Sequence, residues 1–104
     1  MRVIRHEPSG WFLVEESKRF LLDVNCSHGG VSYDFAMELS DAEVNEYSRQ
    51  GIKFISELAE QIQYSGPGVH GSKSSFRDRL LAGPRREKMN TVIATWLKEQ
   101  KSAF

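Results

Sequence analysis

The residues able to do chemistry in this chain are few and scattered. His6, His28 and His70 fall in separate segments, and Cys26 is the sole cysteine. Acid–base catalysis needs two titratable groups held together in a cleft. His6 and His28 would have to meet at the end of a sheet, with Lys18 or Lys73 close by, and no motif joins them. A metal needs three or four Cys, His or carboxylate ligands at workable spacing, and Cys26-x-His28 is the nearest approach to a pair. The run Gly66-Pro67-Gly68-Val69-His70-Gly71-Ser72-Lys73-Ser74 approximates a phosphate-binding loop. Ser72 separates the glycine from the lysine that must follow it, and the run succeeds a helical pattern where the motif requires a strand. It reads as a flexible linker. The expectation is therefore a protein with no catalytic residue, metal or cofactor, and not an enzyme.

Charge is more informative. The net charge is zero, but residues 1–63 hold six Lys/Arg against eleven Asp/Glu, a balance of −5, and residues 64–104 hold eight against three, a balance of +5. Such asymmetry points to an electrostatic partner, or to a basic C-terminal part that folds onto an acidic sheet and neutralises it. Both readings stay open on sequence alone. The partner-binding candidates are Asp23, Asp34 and Glu38 on the polar side of the strand pattern, with Glu15 and Glu16 at a strand end. On a solvated strand such carboxylates also serve solubility and discourage edge pairing. The alternative is a single-stranded nucleic-acid-binding domain. Arg77, Arg79, Arg85, Arg86 and Lys88 would neutralise phosphates, and Trp11, Phe12 and Tyr64 would stack bases. A sequence pI near 6.8 lacks the basic excess usual for that role.

The elements that must position these groups begin with four short strands. Arg2–His6 ends at the turn Glu7-Pro8-Ser9-Gly10, and Trp11–Glu16 follows. After the break Glu16-Ser17-Lys18, Arg19–Cys26 sets Phe20, Leu22, Val24 and Cys26 on one face. Ser27-His28-Gly29-Gly30 is a tight turn. Val31–Leu39 then alternates Val31, Tyr33, Phe35, Met37 and Leu39 with Ser32, Asp34, Ala36 and Glu38. Three tight connections predict an antiparallel meander, with one apolar face and one partly wet face carrying Asp23, Asn25, Asp34 and Glu38.

Ser40-x-x-Glu43 is a capping box. It opens a helix predicted to run to Gln63, with Val44, Tyr47, Gly51, Ile55, Leu58 and Ile62 on its apolar stripe. Gly51, on that stripe, is expected where the helix backbone approaches the sheet. A Gly/Ser-rich loop over 65–75 leads to a short helix over Phe76–Ala82, ended by Gly83-Pro84. A last helix over 85–101 carries Met89, Val92, Ile93, Trp96 and Leu97, and is expected to pack alongside the first. The fold class is thus α+β in one domain, residues 1–104. It comprises a four-stranded antiparallel meander over 2–39, a long helix over 40–63 packed on one face, a flexible loop with a short helix over 64–84, and a C-terminal helix. No apolar run suits a membrane span, the N-terminal residues show no signal-peptide core, and a cytoplasmic location is expected. Cys26 reads as a small buried hydrophobe.

The order of four strands, then Tyr33-Asp34-Phe35-Ala36-Met37-Glu38-Leu39-Ser40-Asp41-Ala42-Glu43, then a long helix containing Gly51, resembles small bacterial immunity proteins. These accompany polymorphic and contact-dependent growth-inhibition toxins. The likeness is one of layout and covers about residues 2–63. It implies a tight-binding inhibitor without chemistry of its own, seated over the active site of a toxin, often a nuclease with a basic cleft. An acidic surface would then mimic nucleic-acid phosphate, speed encounter and select a basic partner.

Overall fold

The computed structural model describes residues 1–8, 10–69 and 71–102, the side chains of the last two excepted. The strands are β1 (Arg2–Glu7), β2 (Trp11–Glu16), β3 (Arg19–His28) and β4 (Val31–Glu38). They form one antiparallel sheet in the order β1-β2-β3-β4. This is the expected meander. Two tight turns fix its register: Ser17-Lys18, with both φ angles positive, and Gly29-Gly30, at φ 57° and 82°. Mirror-image turns of this kind match the right-handed twist of the strands they join.

The apolar face packs as expected. Trp11, Leu13, Leu22, Val24, Cys26, Phe35, Met37 and Leu39 meet Ile55, Leu58, Ala59 and Ile62 in the main core. The thiol of Cys26 lies in this core, where burial pushes its pKa up.

The helix that supplies the second half of that core is not continuous. It is split into α1 (Asp41–Gln50) and α2 (Ile52–Ser65) at Gly51, whose φ of 72° and ψ of −151° break the helical path. A Cβ built on Gly51 would meet nothing within 4 Å. The glycine therefore serves a backbone conformation closed to other residues and not a close approach to the sheet. The break lets α2 aim its buried stripe at the sheet, while α1 buries no residue fully.

A second correction concerns the other face. Helix α3 (Pro84–Ser102) does not lie beside α2; it covers the opposite side of the sheet. Met89 and Ile93 pack there on Val14, Leu21 and Ala36, all three fully buried. Trp96 stands edge-on to His6 and Phe12 at 5.2 and 6.1 Å between ring centroids. The molecule thus has three layers, α2 and α3 sandwiching the sheet. The expected short helix over Phe76–Ala82 is a single 3-10 turn, Arg77–Arg79, after which the chain runs extended along the sheet edge.

Candidate functional site

Asp23, Asp34 and Glu38 on the face expected to be wet, with Glu15 and Glu16 at a strand end, were to meet a partner, and α3 changes the environment of most of them. Asp23 is 7 % exposed. Its two oxygens lie 3.1 and 3.3 Å from the Arg86 guanidinium on the first turns of α3. Burial pushes the Asp23 carboxyl above its ordinary value, and Arg86 opposes that shift without cancelling it. Glu38 accepts hydrogen bonds from Arg85 at 2.6 Å and from Arg19 at 2.9 Å. Arg85, then Arg19, hold its pKa below the usual carboxylate range. Arg85 also binds Glu16 at 2.8 Å, and Arg2 binds Glu15 at 3.1 Å. Four of the five candidates are therefore paired within the molecule.

Asp34 is the exception. It is exposed, accepts a 3.3 Å hydrogen bond from the Asn25 side-chain amide, and has no cation beside it among the described residues.

The basic cluster is consumed in the same way. Arg79 chelates Glu43 and donates to the Glu38 carbonyl. Burial pushes Glu43 upward, but Arg79 and the Ser40 backbone N–H outweigh it and hold the carboxyl low. The predicted capping box is present, Glu43 accepting from the Ser40 N–H at 2.7 Å. Of the five basic residues proposed for nucleic acid, Arg77 and Lys88 alone lack a carboxylate partner among the described residues. Trp11 is buried and Phe12 stacks on His6 at 4.4 Å, so Tyr64, 91 % exposed, is the single open platform of the three.

His6 and His28 do not meet. His6 faces α3 against Phe12 and Trp96. His28 faces α2, its Nε2 2.5 Å from the Gln63 carbonyl. His70 lies outside the described residues. Among the described residues no group of three His, Cys, Asp or Glu side chains is placed to hold a metal. No helix among them is long and apolar enough to cross a membrane.

What the structure brings together instead surrounds the Glu7–Trp11 turn. Two grooves flank it and share Gly10 and Trp11. The one on the α3 side is walled by His6, Phe12 and Leu97, with Asn25 and Asp34 among its polar groups. The one on the α2 side carries Glu7, Glu60, Gln63 and Tyr64. Among the described residues no Lys or Arg lines either groove. Among the described residues Glu7 and Glu60, like Asp34, have no cation partner. Both residues went unmarked in the sequence reading because their neighbours gave no sign that one turn and the end of α2 converge.

Comparison with known proteins returns no matching family, no matching curated protein and no matching solved structure.

Proposed function

We propose that this protein works by binding another protein and not by catalysis, as an immunity-type inhibitor that occludes a toxic partner, a nuclease with a basic cleft being the best fit. The observation that carries the reading is the acidic end of the sheet. Glu7, Asp34 and Glu60 line grooves with no Lys or Arg among the described residues, beside the exposed ring of Tyr64. Exposed tyrosine next to unpaired carboxylates suits a docking surface for a basic protein. The aromatic ring supplies contact area at low entropic cost, and the charges supply steering and selectivity. The resemblance to immunity proteins rests on the order of four strands followed by a capped helix, and is part of the proposal. The nucleic-acid reading is not carried forward, since Arg79, Arg85 and Arg86 are already committed to Glu43, Glu38, Glu16 and Asp23.

The test is co-purification with the C-terminal domain of a secreted toxin encoded by the neighbouring gene. The doubly substituted Asp34→Lys/Glu60→Lys protein should bind that domain at least tenfold more weakly at low salt, about 1.4 kcal/mol for each factor of ten. The loss should shrink as salt is raised, because exposed charges are screened over about 10 Å at 0.1 M. Unchanged affinity at low salt would reject the acidic end as the docking surface. A neighbouring toxin domain that never co-purifies would reject the inhibitor reading itself.

A further inference from the structure

The outer edge of β4 is half covered, and the uncovered half adjoins the acidic end. The N–H of Leu39 donates to the Phe20 carbonyl at 2.8 Å, and β3 and β4 run in register with Leu22 opposite Met37 and Val24 opposite Phe35. In an antiparallel pair, alternate residues bond inward and the others turn their backbone groups outward. Ser32, Asp34, Ala36 and Glu38 are therefore the outward set. The Ala36 carbonyl is taken by the N–H of Leu81 at 2.8 Å, and the Glu38 carbonyl by the Arg79 guanidinium at 2.9 Å. The segment 79–81 thus lies along β4 in the antiparallel sense, and the chain then leaves the edge to begin α3 at Pro84. Beyond that point Ser32 and Asp34 are exposed. No bond to their outward N–H and C=O groups exists among the described residues. Val31 beside them is 63 % exposed.

The opposite edge of the sheet is defended differently. β1 has an irregularity between Val3 and Arg5 and carries exposed Arg2 and Arg5. Irregular pairing and edge charges are the usual means of preventing strand addition. The open half of β4 keeps regular register with β3 and carries one charge, Asp34.

We propose that this half-edge, Val31–Asp34, accepts an extended segment of a partner protein as an added strand, continuing the cover that Leu81 begins, with a Lys or Arg of that segment opposite Asp34. The proposal rests on the acidic-end reading above and names the chemistry of the partner. A second copy of this chain is disfavoured as occupant, because antiparallel pairing centred on Tyr33 would bring two Asp34 carboxylates to the same face. A basic strand turns that repulsion into a cross-strand attraction. Main-chain bonds would supply affinity and Asp34 the selectivity.

The test titrates the whole protein, labelled with nitrogen-15, with a short blocked peptide alternating lysine and valine. The Ser32 and Asp34 amide signals should move and their hydrogen exchange should slow. The same peptide N-methylated at alternate backbone nitrogens keeps its charge but loses its donors, and should not bind. Asp34→Asn should weaken the unmodified peptide about two- to fivefold, the range of one cross-strand charge pair. Equal binding of the N-methylated peptide, or no change at Ser32 and Asp34, overturns the proposal. If those results come while Asp34→Lys/Glu60→Lys still loosens the toxin complex, strand addition alone is lost. If that double variant has no effect either, the acidic-end reading falls with it.

Discussion

Replacing Arg86 with methionine isolates the interaction that holds α3 on the sheet. The Asp23 side chain is 9 % exposed and that of Arg86 18 %, with the shorter contact at 3.1 Å. At that separation the attraction is about 5 kcal/mol for an effective dielectric constant near 20. Desolvation offsets much of this while the pair is intact, so the pair itself stabilises little. Removing one partner is different, because the desolvation cost of the other remains. Arg86→Met should thus destabilise by about 3–5 kcal/mol at neutral pH. For a domain of this size each kcal/mol lowers Tm by roughly 4–8 °C, so the variant should melt at least about 12 °C lower. The double variant Asp23→Leu/Arg86→Met removes both charges and should recover most of that loss. The pH dependence follows from Asp23, whose folded pKa is already above its unfolded value. A group raised in this way favours the folded state below the unfolded pKa, and that contribution is lost as pH rises through the folded pKa. Without Arg86 the folded pKa climbs further, so acidification should narrow the gap between variant and native protein by protonating Asp23. Urea titrations at pH 7 and pH 5, read by circular dichroism, measure both effects. A variant melting within about 2 °C of the native protein, with a gap that does not change with pH, would refute the argument that α3 is pinned by a buried ion pair.

Two further outcomes are expected. Gly51→Ala should destabilise by about 1–3 kcal/mol although the added methyl meets no atom, because the cost lies in the φ of 72° and ψ of −151°; a neutral or stabilising effect in urea titration would mean that α1 and α2 can merge into one helix. Glu38 and Glu43 both have folded pKa values below the ordinary carboxylate value of 4.5. The stability they contribute is present above that value and lost as pH falls through the folded pKa. Tm should therefore drop on acidification from pH 5, and drop less steeply in Glu43→Gln; an equally steep fall in that variant would place the acid-labile contacts elsewhere.

The strands and the first helix start are legible in the sequence because the information is local. Alternation in Val31–Leu39 fixes the faces, and Ser40-x-x-Glu43 fixes the cap. The helix break at Gly51 is not legible, because its position on the apolar stripe is equally consistent with close packing, and a φ angle has no signature beyond the glycine itself. The three-layer arrangement is hidden for another reason. On the α3 side, the apolar contribution of β3 and β4 is little more than Leu21 and Ala36 among Asp23, Asn25, Asp34 and Glu38. A face so polar reads as solvated. What covers it is an alliance of a few apolar residues, Met89 and Ile93 foremost, with ion pairs whose partners are 47 to 69 residues apart, such as Arg85 with Glu16 and Glu38 and Arg86 with Asp23. The −5/+5 division of charge was the one sequence-level trace of that arrangement, and the structure gives it an intramolecular cause.

That cause also orients the molecule. At the end holding the Ser17-Lys18 turn, Arg19, Arg79 and Arg85 bind Glu16, Glu38, Asp41 and Glu43. At the other end, Glu7, Asp34 and Glu60 line grooves with no Lys or Arg among the described residues. One end is thus neutralised by ion pairs within the molecule, and the other carries three carboxylates with no cation partner among the described residues. Exposed carboxylates without a cation among the described residues do little for folding, Asp34 accepting one 3.3 Å hydrogen bond from Asn25. Their field falls off within about 10 Å at 0.1 M salt, so its use is confined to a partner already approaching, where it turns a basic surface toward the Glu7–Trp11 turn before contact. On that account Asp34 matters for the opposite reason to Asp23. Asp23 is spent on α3, and Asp34, one strand away on the same face, is the carboxylate of the original five that remains free to meet something else.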